Sequence, residues 1–182
     1  MSSVGFIGGG RVARIVLGGW KRAQAPPGNI AVYDPDPVRL QALGEICTHV
    51  ELAESAAEAA RKEVVVLAVH PPVASEVTAS IAPHLEKEAV LVSFLPKLTC
   101  RRLSEMMGGF SRIVRMIPNA PSIVCAGYNP VAFAPELPEE ARQLVLTLFA
   151  PLGECPVVEE NTLEVYAVLT GMGPTYFWPQ FY

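Results

Sequence analysis

The chain has 182 residues, of which 51% are hydrophobic and 18% are charged, and its formal net charge at pH 7 is −4. This length is enough for one domain with a sizeable core. The acidic balance and the lack of a basic tract argue against nucleic acid as the main partner.

The first predicted element is a short apolar strand that runs into a glycine-rich turn and then into a helix over about Arg11–Arg22. In a G-x-G-x-x-A turn the first glycine allows a tight bend, the second lets phosphates approach the backbone, and the alanine (Ala13) lets the helix pack on the strand. The helix N-terminus presents unpaired N–H groups to negative charge. The pattern predicts a dinucleotide pyrophosphate held over Gly8, Gly10, Arg11 and Val12.

The second predicted strand covers Ile30–Tyr33 and ends at Asp34, about 20 residues beyond the glycine turn. A carboxylate there accepts hydrogen bonds from the adenosine ribose and repels a 2′-phosphate. We therefore expect NAD(H) or NADP(H) as cofactor with a preference for NAD(H), which Arg11 and Arg39 would soften.

The remaining elements continue the alternation of strands and helices. The run from Glu63 to Val69 is continuously apolar after its first residue, as expected of a central parallel strand covered on both faces. Alternation of this kind predicts an α/β Rossmann fold, a doubly wound, mostly parallel sheet with helices on both faces. Further strands are predicted over 89–94, 113–116, 131–133 and 155–158, and helices over 37–43, 52–62, 71–85, 99–107 and 138–149.

Four colinear segments are distinctive: the glycine turn with Leu17-Gly18-Gly19, Ala68-Val69-His70-Pro71, the R-M-I-P-N-A-P run over 115–121 and the T-G-M-G-P-T-Y run over 170–176. Together they resemble pyrroline-5-carboxylate reductase, whereas related deazaflavin-dependent NADP oxidoreductases share only the first of them well. The resemblance implies reduction of the C=N bond of a cyclic imine in proline biosynthesis, with hydride from NAD(P)H. It implies cofactor contacts at Val69, His70, Pro71, Ser93 and Asn119 and substrate contacts at Thr170, Gly171, Met172 and Gly173.

No catalytic side chain is assigned, because a protonated imine is electrophilic and such a site works mainly by positioning. No metal is expected, since His49, His70 and His84 lack ligand spacing. His70 could equally be a loop residue without a ligand or a residue that contacts the cofactor.

Several positions depart from the family pattern. Met172 stands where the family has a serine, and its thioether cannot donate a hydrogen bond. Ala120 replaces a threonine, Arg11 replaces an asparagine, and the 94–97 segment replaces a small A-A-G-type turn. These changes fit either drift in a true reductase or a related reductase with another imino or keto acid substrate.

The family continues beyond the last matching segment into a helical dimerisation domain. We expect residues 1–163 to form the dinucleotide-binding domain and 164–182 to begin a truncated helical segment. Five aromatic residues within 176–182 would be costly to expose, which favours a homodimer or higher homo-oligomer over a tail folded back on its own domain. We also expect the chain alone to be a poor catalyst, because its substrate pocket would lack a lid.

A non-catalytic dinucleotide-binding or sensor domain is the alternative from another functional class, and a domain that has lost its ligand is a third. Four widely spaced cysteines and no visible signal peptide predict a cytoplasmic protein with free thiols. The two long uncharged stretches are broken by proline and by asparagine or glycine, so no membrane span is expected.

Overall fold

Strands and helices alternate in the computed structural model, which describes residues 2–46 and 50–173. The strands are β1 (Ser3–Ile7), β2 (Asn29–Tyr33), β3 (Val50–Leu52), β4 (Val64–Leu67), β5 (Val90–Ser93), β6 (Ile113–Met116), β7 (Gly127–Tyr128), β8 (Val131–Phe133) and β9 (Gly153–Glu154). The main sheet has seven of them in the order β3-β2-β1-β4-β5-β6-β8, all parallel except β8, which runs antiparallel to β6. A separate parallel pair joins β7 to β9. The predicted Rossmann fold class is confirmed.

The helices connect the strands and cover both faces of the main sheet. Three of them begin with a side chain that accepts from a backbone N–H of the first turn. The Asp36 carboxylate accepts from Val38, the Ser55 hydroxyl from Glu58 and the Thr99 hydroxyl from Arg102. The α-helices are α1 (Arg11–Arg22), α2 (Pro37–Ile46), α3 (Ala56–Ala59), α4 (Ala74–Ile81), α5 (Cys100–Met106), α6 (Glu139–Phe149) and α7 (Leu163–Ala167). Short 3-10 turns occupy Pro71–Val73, Ala82–His84, Ala120–Val124, Ala150–Leu152 and Glu160–Thr162, and a π-helical turn over Val168–Met172 extends α7.

Three predicted elements were wrong in extent. The helix expected over 52–62 is only α3, because Leu52 ends strand β3, which pairs with β2, and Ser55 then caps the helix. The helix expected over 71–85 is α4 flanked by two proline-containing 3-10 turns. The strand expected over 155–158 lies two residues earlier, as β9, and Val157 makes only an isolated bridge to Val131.

Each face of the sheet carries its own hydrophobic core. On the α1 and α6 face, Trp20 packs edge-on against Phe6 with ring centroids 5.9 Å apart and lies 5.5 Å from Phe149. The Trp20 indole N–H donates to the Leu148 carbonyl at 2.9 Å. On the opposite face α3, α4 and α5 bury apolar residues such as Leu103. Strands β4 and β5 are buried throughout, which explains their uninterrupted apolar sequences.

Candidate functional site

A cleft of about 800 Å³ lies at the carboxyl ends of β1, β2, β4 and β5. The strand order reverses here: the chain moves outward from β1 to β2 and β3, then returns to place β4 on the other side of β1. Ligands of open α/β sheets bind at such a switch point. The walls are the glycine turn with the first turn of α1, the end of β2, the turn after β4 and the loop after β5.

The glycine turn brings two strand ends close to the start of α1. Gly8 has φ +106°, and a Cβ there would lie 2.5 Å from the Ala68 carbonyl oxygen, so only glycine fits without strain. Its N–H donates to the Tyr33 carbonyl at 2.8 Å. Gly10 is different, since a Cβ there would meet no atom within 4 Å. The backbone at Gly10 is therefore open to a ligand.

The N-terminus of α1 faces the cleft without a side-chain cap. Gly10 is the N-cap residue, and the first turn carries no acidic residue. Arg11 and Arg14, three residues apart, both line the cleft. Uncapped N–H groups, the helix dipole and two cations together make a site for an anionic group.

Asp34 is buried at the end of β2 and fixes the turn beside the glycines. Its Oδ2 accepts from the N–H of Gly9 at 2.8 Å, and its Oδ1 accepts from the N–H of Asp36 at 2.9 Å. The Arg39 guanidinium lies 3.6 Å from Oδ2 and also pairs with Asp36. An ionised carboxylate has about four acceptor positions, so Asp34 retains acceptor capacity toward a ribose hydroxyl.

The other end of the cleft is formed by the segments after β4 and β5. The residues predicted from the family resemblance, Val69, His70 and Pro71, line it, together with Phe94 and Pro96. Ser93, also predicted to contact the cofactor, is buried beneath this wall, where its hydroxyl accepts from the N–H of Leu95 at 3.3 Å. It is not among the lining residues, and a contact with a bound cofactor stays a prediction.

Asn119 belongs to a polar network that joins the loop after β6 to the π-helical turn. Its side-chain amide donates to the Thr170 carbonyl at 3.3 Å, and its side-chain oxygen accepts from the N–H of Tyr128 at 3.1 Å. Tyr128 in turn stacks on Tyr166 of α7. The predicted substrate segment, 170–173, is therefore anchored through Asn119, although neither lines the cleft. Their predicted contacts with cofactor and substrate remain predictions.

The structure adds cleft residues that sequence reasoning did not assign to the site. Arg14 was detectable, because residues three apart share one helix face and Arg11 had been assigned. Phe94 and Pro96 carry no ligand-type signal, and only the sheet order places their loop beside β4. Among the described residues, no three His, Cys, Asp or Glu side chains are grouped to hold a metal ion. No helix in the described part of the chain is long and apolar enough to cross a bilayer.

The chain is similar in sequence to a family of oxidoreductases and to two bacterial reductases. Residues 3–97 match the family model described as NADP oxidoreductase coenzyme F420-dependent. The chain is 32% identical over 175 residues to the pyrroline-5-carboxylate reductase of Escherichia coli, covering 95% of this chain and 65% of that protein. It is 30% identical over 181 residues to the enzyme of the same name from Pseudomonas aeruginosa, covering 96% and 64%. The chain thus spans slightly less than two thirds of these relatives.

Solved structures of such reductases are similar to this chain in fold. A pyrroline-5-carboxylate reductase from Coxiella burnetii superposes with a TM-score of 0.87 at 29% identity, over 97% of this chain and 66% of that one. The Plasmodium falciparum pyrroline carboxylate reductase, solved with NADP bound, has the same fold, with a TM-score of 0.83 at 24% identity, over 97% of this chain and 65% of that one. The resemblance inferred from four short segments is confirmed over nearly the whole chain.

Proposed function

This chain belongs to the NADP oxidoreductase coenzyme F420-dependent family, and on that premise we propose that it binds a nicotinamide dinucleotide and reduces a cyclic imine of the pyrroline-5-carboxylate type. The single observation that supports the cofactor assignment best is the uncapped N-terminus of α1, with Gly10 open to the cleft. The pyrophosphate rests on the backbone from Gly8 to Val12. Arg11 and Arg14 supply counter-charge, and Asp34 accepts from the adenosine ribose.

The bound cofactor would extend from β2 across β1 to β4 and β5. The nicotinamide half then lies against Val69, His70 and the loop after β5, where Phe94 and Pro96 exclude water from one side. A reduced nicotinamide supplies hydride when bound. The chain's own residues would orient the ring. We place the imine toward the turn that Asn119 anchors, because the family resemblance implies substrate contacts over 170–173. This division agrees with chemistry that needs positioning more than a strong acid.

The test is oxidation of NADH and of NADPH in the presence of pyrroline-5-carboxylate, followed by other cyclic imines. Turnover with pyrroline-5-carboxylate supports the reductase proposal. Saturable binding of the dinucleotide without turnover of any imine supports the second candidate, a non-catalytic dinucleotide-binding domain. That candidate is favoured by Met172, which is half-exposed and offers no donor at a position where the resemblance implies a hydroxyl.

We further propose that residues 1–163 form the dinucleotide-binding domain and that 164–182, of which 174–182 lie outside the described residues, begin a helical segment through which copies associate. Support comes from an apolar face at the end of α7, where Val165, Val168, Leu169 and Met172 are each more than half exposed at helical spacing. Light scattering tests the homodimer. A cytoplasmic location is supported by the free thiols of Cys100, Cys125 and Cys155, which suit a reducing compartment.

A further inference from the structure

Arg115 is a buried charged side chain on the next-to-last strand of the main sheet. It lies on β6, is 1% exposed, and ranks among the largest fully buried side chains of the described residues. A guanidinium in such a place requires partners, because an unpaired buried charge is strongly disfavoured. The partners of Arg115 come from two other parts of the chain.

Two carboxylates four residues apart pair with this guanidinium. Glu160, in the 3-10 turn before α7, lies 3.4 Å from Nη1, and Glu164, in α7, hydrogen-bonds Nη2. Nη2 also donates to the Leu95 carbonyl at 3.4 Å. Arg115 therefore joins α7 to the loop that follows β5.

The same two carboxylates also bind backbone groups of that loop and of the first residue of α5 directly. Glu164 Oε1 accepts from the backbone N–H of Lys97 at 2.8 Å, and Glu160 Oε1 accepts from that of Cys100 at 2.6 Å. Lys97 has φ +65°, a left-handed conformation that a non-glycine residue keeps only when its surroundings hold it. Burial acts to raise the pKa of Glu164, but the hydrogen bonds from Arg115 and Lys97 outweigh it and keep this pKa below its usual value.

The loop held in this way is a wall of the cleft. Phe94 and Pro96 line the end where the nicotinamide half would lie, and the braced backbone groups belong to Leu95, Lys97 and Cys100. The cleft-lining residues Phe94 and Pro96 thus alternate along the loop with Leu95 and Lys97, whose backbone groups are held. A shift of α7 would consequently move the wall.

We propose that Arg115, Glu160 and Glu164 form a brace of positioning residues that sets the Phe94–Pro96 wall against the nicotinamide half of the dinucleotide and couples α7 to that wall. The inference rests on the proposed function, because it requires a nicotinamide in this end of the cleft. The adenosine half, bound between Gly10 and Arg39, lies outside the reach of the brace.

The test compares NADH, NADPH and ADP-ribose binding, since ADP-ribose lacks the nicotinamide. Glu164→Ala removes the oxygen that accepts from both Arg115 and Lys97. We expect the affinity for whichever of NADH and NADPH binds more tightly to fall by about tenfold, as for loss of a charged hydrogen bond. ADP-ribose affinity should not change. Glu164→Gln retains an oxygen that accepts from Lys97 and should recover part of the loss. Glu88→Ala breaks an ion pair with Arg112 at the amino ends of β5 and β6, away from the cleft, and is the matched control.

Each outcome separates the brace from the proposed function. Weakening of NADH or NADPH with unchanged ADP-ribose binding, and partial recovery in Glu164→Gln, supports the brace. Equal weakening of all three ligands, or none, overturns it, because the residue then only maintains the fold or does nothing at the site. Absence of dinucleotide binding by the wild-type chain overturns the proposed function itself, and the positioning role with it.

Discussion

Gly10 and Gly8 differ in what a side chain would meet, and this difference yields a first prediction. A valine at Gly10 projects into the open cleft, so Gly10→Val should abolish dinucleotide binding while leaving the unfolding transition nearly unchanged. Gly44→Val, in α2, also meets open space and serves as the control. Titration with NADH or NADPH decides the matter. Unchanged affinity in Gly10→Val would remove the pyrophosphate from this turn.

The preference between NADH and NADPH should depend on two single residues, Asp34 and Arg39. Asp34 favours a free ribose 2′-hydroxyl, so we expect NADH to bind more tightly than NADPH at one ionic strength. Arg39 is 46% exposed and faces Asp34, where it offsets repulsion of a 2′-phosphate. Arg39→Ala should therefore weaken NADPH by about tenfold more than NADH, the size of one charge-assisted contact. Arg22→Ala, at the far end of α1, is the control, and tighter NADPH binding by the wild type would contradict the argument from Asp34.

At the scale of elements, docking of α7 should depend on pH. The pKa of Glu164 is lower in the folded chain than its ordinary value of 4.5, mainly through Arg115 and the Lys97 N–H working against burial. A lowered folded-state pKa means that the unfolded chain binds more protons than the folded chain does. The contribution of the Glu164 carboxylate to the free energy of unfolding is therefore complete above about pH 4.5 and is lost as the pH falls through the folded-state pKa.

Denaturant unfolding of wild type and Glu164→Gln between pH 3 and pH 7 measures this contribution. The free-energy difference between the two proteins should shrink on acidification, because the glutamine variant has no such proton to take up. A difference that stays constant across the range would show that the charge of Glu164 does not stabilise α7.

The elements predicted most accurately are those whose structural environment permits only a few residue types. The apolar run of β4 and the glycine turn could be predicted, because full burial and the tight turn with positive φ at Gly8 each demand particular residues. The limits of α3 and β3 could not, since Ala and Glu favour a helix but pairing with β2 takes Leu52 into the sheet. The link from Asn119 to Thr170 was also out of reach, because it joins residues 51 positions apart through tertiary packing.

At the scale of the molecule, Trp20 connects the elements on one face of the sheet. It packs between Phe6 and Phe149, and its indole N–H binds the Leu148 carbonyl of α6. Trp20→Ala should cost about 3–5 kcal/mol in the free energy of unfolding, as for other large-to-small core changes. Urea unfolding measures this, with Val38→Ala as control, because Val38 is 72% exposed. A loss below that of an ordinary surface substitution would show that α1 and α6 do not share one core.

The two ends of the seven-stranded sheet have a consequence for how copies of the molecule meet. On one side, β3 has only three residues, and its Glu51 is held by Asn29 and Lys62. On the other, the outer edge of β8 is occupied, since Val131 donates to the Pro156 carbonyl and accepts from the N–H of Val158. Short, charged or covered edges resist the addition of strands from another chain. Intermolecular β-pairing, and the fibrillar aggregation that it seeds, is thus disfavoured at both edges of the main sheet in the described part of the fold.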